Sequence, residues 1–197
     1  MIGKSAAHPA QATQRRDSRR LRDALPDSAR ISASEKIGKY VTQLPIFRRS
    51  RFIACYLSVG SEVDTAPIIL RAWRAKKRIF APITRNDGRM FFQQIGPDSE
   101  FRFGNFGVPE PVDGRILDPR SFDLVLAPVV AFDAARNRIG MGGGYYDRTF
   151  SFLGQRKFFL KPKILGLAFD CQKIEEIVPN PWDIRVFRIV TESSTRF

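Results

Sequence analysis

The sequence predicts a single α/β domain, a three-layer sandwich with a largely parallel central sheet. Two observations carry this expectation. Apolar β-rich runs alternate with helical patterns along the chain, the order that builds parallel strands joined by crossover helices. The 197 residues, 43% apolar and 12% aromatic, can fill one sizeable core but not two full domains at about 150 residues each.

Residues 1–14 read as a flexible basic lead-in, with the domain proper over 15–197. From about Asp17 to Leu44 the pattern is helical, broken near Pro26. Leu25, Ala29, Ile37, Val41 and Leu44 fall at or near helical spacing and Asp27 and Ser28 form a helix start, giving two short helices. FIACYLSV (52–59) is nearly all apolar, as a strand covered on both faces must be. After the polar turn GSEVD, Pro67 lies in the first turn of a helix over about 65–75, whose apolar side is Ile68, Ile69, Ala72 and Trp73. RIFAPI (78–83) is a second buried strand. Between 84 and 120 the turn signals NDG, GPD, FGVPEP and VDG surround short aromatic pieces such as MFFQQI, so hairpins and loops are expected to cover the site. DLVLAPVVAF (123–132), the longest apolar run, is the expected central strand. A glycine-rich segment follows directly, then a helix over about Tyr145–Leu153, the strand KILGLAF (163–169), the segment DCQKIEEI and a last strand, FRIVT.

Composition removes several kinds of chemistry. The single histidine is His8, in a polar segment beside a proline, so triads with a histidine base and zinc sites with a histidine ligand are not expected. Cys55 and Cys171, 116 positions apart, fit neither a disulfide framework nor a CxxC knuckle and point to a reducing, cytoplasmic setting. No apolar run reaches the roughly 18 residues of a membrane span, and the first residues lack a signal-peptide core, so neither anchoring nor export is expected. Net charge is +13, of which residues 1–51, with 12 Lys or Arg against 4 Asp or Glu, carry +8. Such a basic head suits a nucleic-acid backbone, a small polyanion or a solvated helix face, and charge alone leaves these open.

The richest segment is RIGMGGGYYDR, from Arg138 to Arg148. Placed between a strand and a helix, Gly140, Gly142, Gly143 and Gly144 can turn backbone N–H groups toward one point at the helix's positive end, which makes a phosphate cradle. Arg138 and Arg148 at its rims add bidentate donors, and Asp147 suits Mg²⁺. The segment lacks the Lys and Ser or Thr of a P-loop, and its spacing differs from the dinucleotide fingerprint.

This loop resembles the signature of the 5-formyltetrahydrofolate cyclo-ligase family, also called 5,10-methenyltetrahydrofolate synthetases. The resemblance extends to YLSVGSEVDTAPII (56–69), FGVPEP (106–111), APVVAFD (127–133), GLAFDCQ (166–172) and PWDIRVFRIVTE (181–192), in order along most of the chain. It implies ATP- and Mg²⁺-dependent conversion of 5-formyltetrahydrofolate, free or polyglutamylated, to 5,10-methenyltetrahydrofolate, through phosphorylation of the formyl oxygen. It places ATP along Arg138, Ile139, Gly140, Met141, Gly142, Gly143, Gly144, Tyr145 and Tyr146, with Arg148 and Tyr145 as catalytic groups. Leu57, Glu62 and Tyr146 fall on the folate side, and Asp147 and Asp183 match positions associated with Mg²⁺. Without the resemblance, Asp147 reads equally as an ion-pair partner of Arg148 or a helix-start residue, and Asp183 as an N-cap or turn residue after Pro181. Asp147→Ala and Arg148→Ala are expected to leave the fold intact and remove turnover.

The family's N-terminal Lys-x-x-Leu-Arg, whose two basic residues lie on ATP phosphates, is matched here by Arg15 for the arginine, which the resemblance therefore places on ATP, while Gln11 stands in place of the lysine; Lys4 or Arg16 are candidates for its work. A monomer of the cytoplasm, with no membrane and no nucleic-acid partner, is the expectation. The competing reading is a non-catalytic member that binds nucleic acid through the basic N-terminal segment, although residues 1–39 hold no aromatic residue for base stacking.

Overall fold

Apolar strands that must be covered on both faces dictate the architecture. In this computed structural model, which describes residues 9–85, 87–104, 107–154 and 161–193, helices α1 (Pro9–Asp23), α2 (Asp27–Gln43) and α3 (Pro45–Arg49) precede strand β1 (Phe52–Cys55). Then come α4 (Ala66–Arg74), β2 (Arg78–Thr84), β3 (Met90–Ile95), the ribbon of β4 (Phe101–Phe103) and β5 (Pro109–Pro111), and β6 (Ile116–Leu117). The chain continues through β7 (Leu124–Pro128), a second ribbon of β8 (Ala131–Phe132) and β9 (Arg138–Ile139), α5 (Tyr145–Thr149), β10 (Lys163–Leu167) and β11 (Arg188–Val190). One seven-stranded sheet has the order β11-β10-β7-β1-β2-β3-β6. Its first five members are mutually parallel, and β3 and β6 close one side antiparallel. The α/β class and the largely parallel sheet are therefore as expected.

Strand side chains alternate between the two faces. Ile53, Cys55, Leu124, Leu126, Leu165 and Leu167 join Ile37 and Val41 of α2 and Ile68, Ile69 and Ala72 of α4 in one core. Ala54, Val125, Ala127 and Ile164 face a second core, dominated by Phe80, Phe92, Phe122, Phe132 and Phe150. Phe92 sits at its centre, 5.1 Å from the Phe122 ring edge-on and 5.8 Å from Phe150.

Four boundaries differ from the sequence reading, each for a local reason. The first strand ends at Cys55, because Thr65 Oγ1 donates to the Tyr56 carbonyl and Tyr56 Oη to the Val63 carbonyl, turning the chain off the sheet. The run at 123–132 is two strands, and a separate ribbon stands between the sheet and the glycine loop. Its turn is closed by Asp133 Oδ1, which accepts from the Asn137 N–H at 2.9 Å, with Arg136 at φ 67°. The helix expected over 145–153 breaks at Phe150, whose ring is fully buried, and resumes as a 3₁₀ turn at Ser151–Leu153. Lastly, α1 begins at Pro9, so residues 9–14 of the expected flexible lead-in are helical, while 1–8 lie outside the described residues. A proline in the first turn suits that start, since its missing N–H has no helical partner there anyway. Among the described residues no helix is long and apolar enough to cross a membrane.

Phe92→Ala is expected to lower unfolding free energy by about 3–5 kcal/mol in urea titrations, because it opens a cavity beside the Phe122 and Phe150 rings. Ile116→Ala, at an exposed edge, is expected to stay within about 0.5 kcal/mol of the parent.

Candidate active site

The loop between β9 and α5 is shaped by glycine and pinned by arginine. Gly142 and Gly144 have φ of 99° and 64°, which other residues rarely adopt, and a Cβ on Gly144 would stand 2.7 Å from Arg148 Nη1. The N–H groups of Met141 through Gly144 donate to no protein acceptor among the described residues. With only five residues, α5 contributes little dipole, so the cradle consists of the loop's own N–H groups.

Three arginines fix that loop. Arg15 Nε donates to the Gly140 carbonyl at 2.8 Å, and Arg148 Nε to the Gly88 carbonyl at 2.9 Å, its Nη2 bonding the Gly143 carbonyl. Arg138 is 7% exposed, with Nη2 on Asp147 Oδ1 at 2.7 Å and Cζ 5.7 Å from the centre of the Tyr146 ring. Its Nε and the Tyr146 hydroxyl are buried with no hydrogen-bond partner among the described residues. Burial pushes the Tyr146 hydroxyl above its usual range, and nearby Cys55 and Glu62 push it further. The half-buried Tyr145 ring lies under the Arg148 guanidinium at 5.6 Å. Ile139 points into a small core with Ala131 and Ile177 and Met141 into solvent, so the loop presents backbone at both positions.

The two candidate metal ligands share a pattern. Asp147 Oδ1 accepts from Arg138 and from the Ile184 N–H at 3.0 Å. Asp183 Oδ2 accepts from the Asn180 N–H at 2.8 Å, Asn180 Nδ2 at 3.0 Å and Gln11 Nε2 at 3.2 Å. The remaining oxygens, Asp147 Oδ2 and Asp183 Oδ1, accept no hydrogen bond among the described residues. Two oriented carboxylates, each with one uncommitted oxygen, fit a hard cation such as Mg²⁺, which takes one or two carboxylates beside water and phosphate oxygens. No cluster of three or more His, Cys, Asp or Glu suited to a metal occurs among the described residues. The turn role of Asp183 also holds, whereas the partner of Asp147 is Arg138 and not Arg148. Asp147→Ala would strand a buried guanidinium, so the expectation that this variant leaves the fold untouched is corrected here.

On the other side, Leu57 is half-buried and lines a cleft of about 270 Å³ with Ser58, Asp64, Thr65, Ile69 and, from the β4–β5 ribbon, Phe101 and Pro109. Phe106 of the FGVPEP segment lies outside the described residues. Glu62 is turned back, its Oε2 accepting from the Val59 N–H at 3.1 Å. Burial raises its pKa, while that N–H, Arg22 and Arg19 pull it back down.

α1 bridges the two sides. Its inward stripe, Gln11, Arg15, Ser18 and Arg22, is polar; Gln14 Nε2 donates to the Glu176 carbonyl at 2.8 Å, and Arg22, 4% exposed, donates Nε to Ser61 Oγ at 2.9 Å. A cleft of about 460 Å³ runs along Arg15, Arg16, Arg19, Arg20 and Asp23. Arg16 is exposed and paired with Asp17 at 3.2 Å, and Lys4 lies outside the described residues. Arg22, Gln14 and Asn180 escaped the sequence reading; the 11-15-18-22 spacing of α1 was the available signal for Arg22.

The model of the family described as "5-formyltetrahydrofolate cyclo-ligase family" matches residues 7–192. The 5-formyltetrahydrofolate cyclo-ligase of Escherichia coli K12 is 34% identical over 178 residues, covering 88% of this chain and 95% of that protein. That of Haemophilus influenzae is 31% identical over 180 residues, covering 89% and 94%. Among solved structures, the 5,10-methenyltetrahydrofolate synthetase of Aquifex aeolicus superposes with a TM-score of 0.81 at 30% identity, covering 94% of this chain and 91% of its own.

A carboxyl whose pKa is raised in the fold holds its proton more tightly there than when unfolded. The stability linked to Glu62 is therefore complete below the usual carboxylate range and is lost as pH rises through the raised value. Glu62→Gln is expected to melt above the parent at about pH 7 and level with it at about pH 4, as followed by thermal unfolding.

Proposed function

The chain belongs to the 5-formyltetrahydrofolate cyclo-ligase family, and from that premise we propose that it uses ATP and Mg²⁺ to convert 5-formyltetrahydrofolate to 5,10-methenyltetrahydrofolate, with release of ADP and phosphate. The observation that carries the reading is the pinned glycine loop, whose N–H groups from Met141 to Gly144 have no protein acceptor among the described residues, beside the orphaned Arg138 Nε. A row of unpaired donors next to a buried guanidinium calls for a polyanion.

The chemistry suits a site whose described residues include no histidine. A formyl amide oxygen is a poor leaving group, and phosphorylation makes it a good one. The formyl oxygen takes the terminal phosphoryl group, N10 closes on the activated carbon with loss of its proton, and phosphate departs with the former formyl oxygen. Such a transfer needs positioning and charge neutralisation more than a protein nucleophile. The loop N–H groups, Arg15 and Arg138 bind the phosphates, with Ile139 and Met141 contributing backbone. A phosphate oxygen is a stronger acceptor than the Gly88 and Gly143 carbonyls, so Arg148 turns from them to the transferring group, over Tyr145. Tyr146 stands between the two half-sites, Leu57 supplies apolar contact to the folate and Glu62 accepts from its ring N–H groups. Asp147 and Asp183 hold Mg²⁺, which neutralises phosphate charge. A nucleic-acid role draws less support: Arg15 and Arg22 of the basic helix face inward, onto the loop and Ser61.

The test is the absorbance of 5,10-methenyltetrahydrofolate formed by the purified chain from 5-formyltetrahydrofolate, ATP and Mg²⁺, with omission of ATP abolishing it. Arg148→Ala is expected to fold as the parent does and to lose about 10²–10³-fold in kcat; near-parental turnover overturns its role. Asp147→Ala is expected to lose stability as well as turnover, by about 3–5 kcal/mol in denaturant titrations, through the unpaired Arg138.

A further inference from the structure

A glutamine buried in the first turn of a surface helix needs a use for every polar atom. Gln11 is 4% exposed, and it has one. Its Nε2 donates to the Val178 carbonyl at 3.1 Å and to Asp183 Oδ2 at 3.2 Å, and its Oε1 accepts from Asn180 Nδ2 at 3.3 Å. Asn180 donates to the same Oδ2 through its backbone N–H and through Nδ2. Three donors therefore converge on one carboxylate oxygen while the other accepts none among the described residues. Turning the carboxylate out of its plane would weaken all three bonds at once, and Gln11 and Asn180 brace each other against it. Arg15, one turn further along α1, is committed to the Gly140 carbonyl. One face of α1 thus grips both the Asp183 carboxylate and the glycine loop.

We propose that Gln11 is a positioning residue for the cation site: across 172 positions of sequence it helps fix the plane of the Asp183 carboxylate, so that the oxygen turned away from the three donors is held in one direction for Mg²⁺. This rests on the reading of Asp147 and Asp183 as the cation's ligands. The Gln11 amide is spent on Val178, Asp183 and Asn180, so it acts through Asp183. Its effect is therefore confined to the part of nucleotide binding that depends on the cation.

The full chain and Gln11→Met, which keeps side-chain length but has no amide, are compared by calorimetric titration with ATP alone, with ATP and Mg²⁺, and with 5-formyltetrahydrofolate alone. The parent is expected to bind ATP more tightly with Mg²⁺ than without. Gln11→Met is expected to lose about tenfold of that enhancement, the loss of one hydrogen bond to a charged group, while metal-free ATP binding and folate binding are unchanged. Should Gln11→Met not fold, Asn180→Ala, which removes the other amide from the same oxygen, carries the same expectation. An enhancement equal to the parent's overturns the positioning role and leaves the cyclo-ligase reading standing. Equal weakening of all three titrations also overturns it, because it shows that Gln11 merely anchors α1. A parent with no Mg²⁺ enhancement removes the cation reading and this proposal together.

Discussion

A guanidinium buried in apolar surroundings must be paired, and Arg138 is where that requirement organises the molecule. Its partner, Asp147, lies across the glycine loop, so the ion pair at 2.7 Å ties the end of β9 to α5 and fixes the span the loop has to cross. The same Asp147 oxygen accepts the Ile184 N–H, which brings the segment before the last strand against the loop. One carboxylate oxygen thus joins β9 and α5, nine positions apart, to a segment 37 positions further along the chain. Glycine does the rest, since only residues that tolerate left-handed backbone can follow the path between the two pinned ends.

A second constraint is the way α1 is attached. Helices α2 and α4 dock through isoleucine, valine and alanine, which bind without directional preference. α1 presents glutamine, serine and arginine inward instead, and each inward bond is worth about 1 kcal/mol net only if its geometry is met. Such a helix is held in one register or not at all. Lying near the C-terminal ends of the parallel strands, it reaches the Asp183 carboxylate, the glycine loop and the turn that carries Glu62. The arginines of α1 line a cleft on this side of the molecule, next to the glycine loop and the turn that carries Glu62.

The site occupies the place open α/β sheets favour, beyond the C-terminal ends of β1, β7 and β10, where chain segments diverge and leave a cleft. Among the described residues it holds no histidine, and burial raises the pKa of Cys55 to about 12 and keeps it inert. What remains is backbone N–H groups, guanidinium groups and carboxylates, the set suited to holding phosphates and a hard cation. Glu62 pays in stability for its half-buried position, as binding groups often do.

The buried strands β1, β2, β7, β10 and β11 and helix α4 were legible in the sequence, because a segment covered on one or both faces must carry its apolar residues in a run or at a fixed period. The glycine loop was legible for a related reason, since its backbone path admits few other residues. The same local rules could not show that α1 starts at Pro9, because its buried stripe is polar and leaves no apolar period to read. Nor could they show that 123–132 divides into a sheet strand and a separate ribbon, a choice made by the Asp133–Asn137 turn. Above all, they could not pair Asp147 with Arg138, or Gln11 with Asp183 across 172 positions, because both partnerships exist only once the chain has folded. Sequence by itself determined the class of fold and the residue types of the site; tertiary structure alone decided which carboxylate oxygen is engaged and which remains free, since hydrogen-bond direction is a property of positions in space.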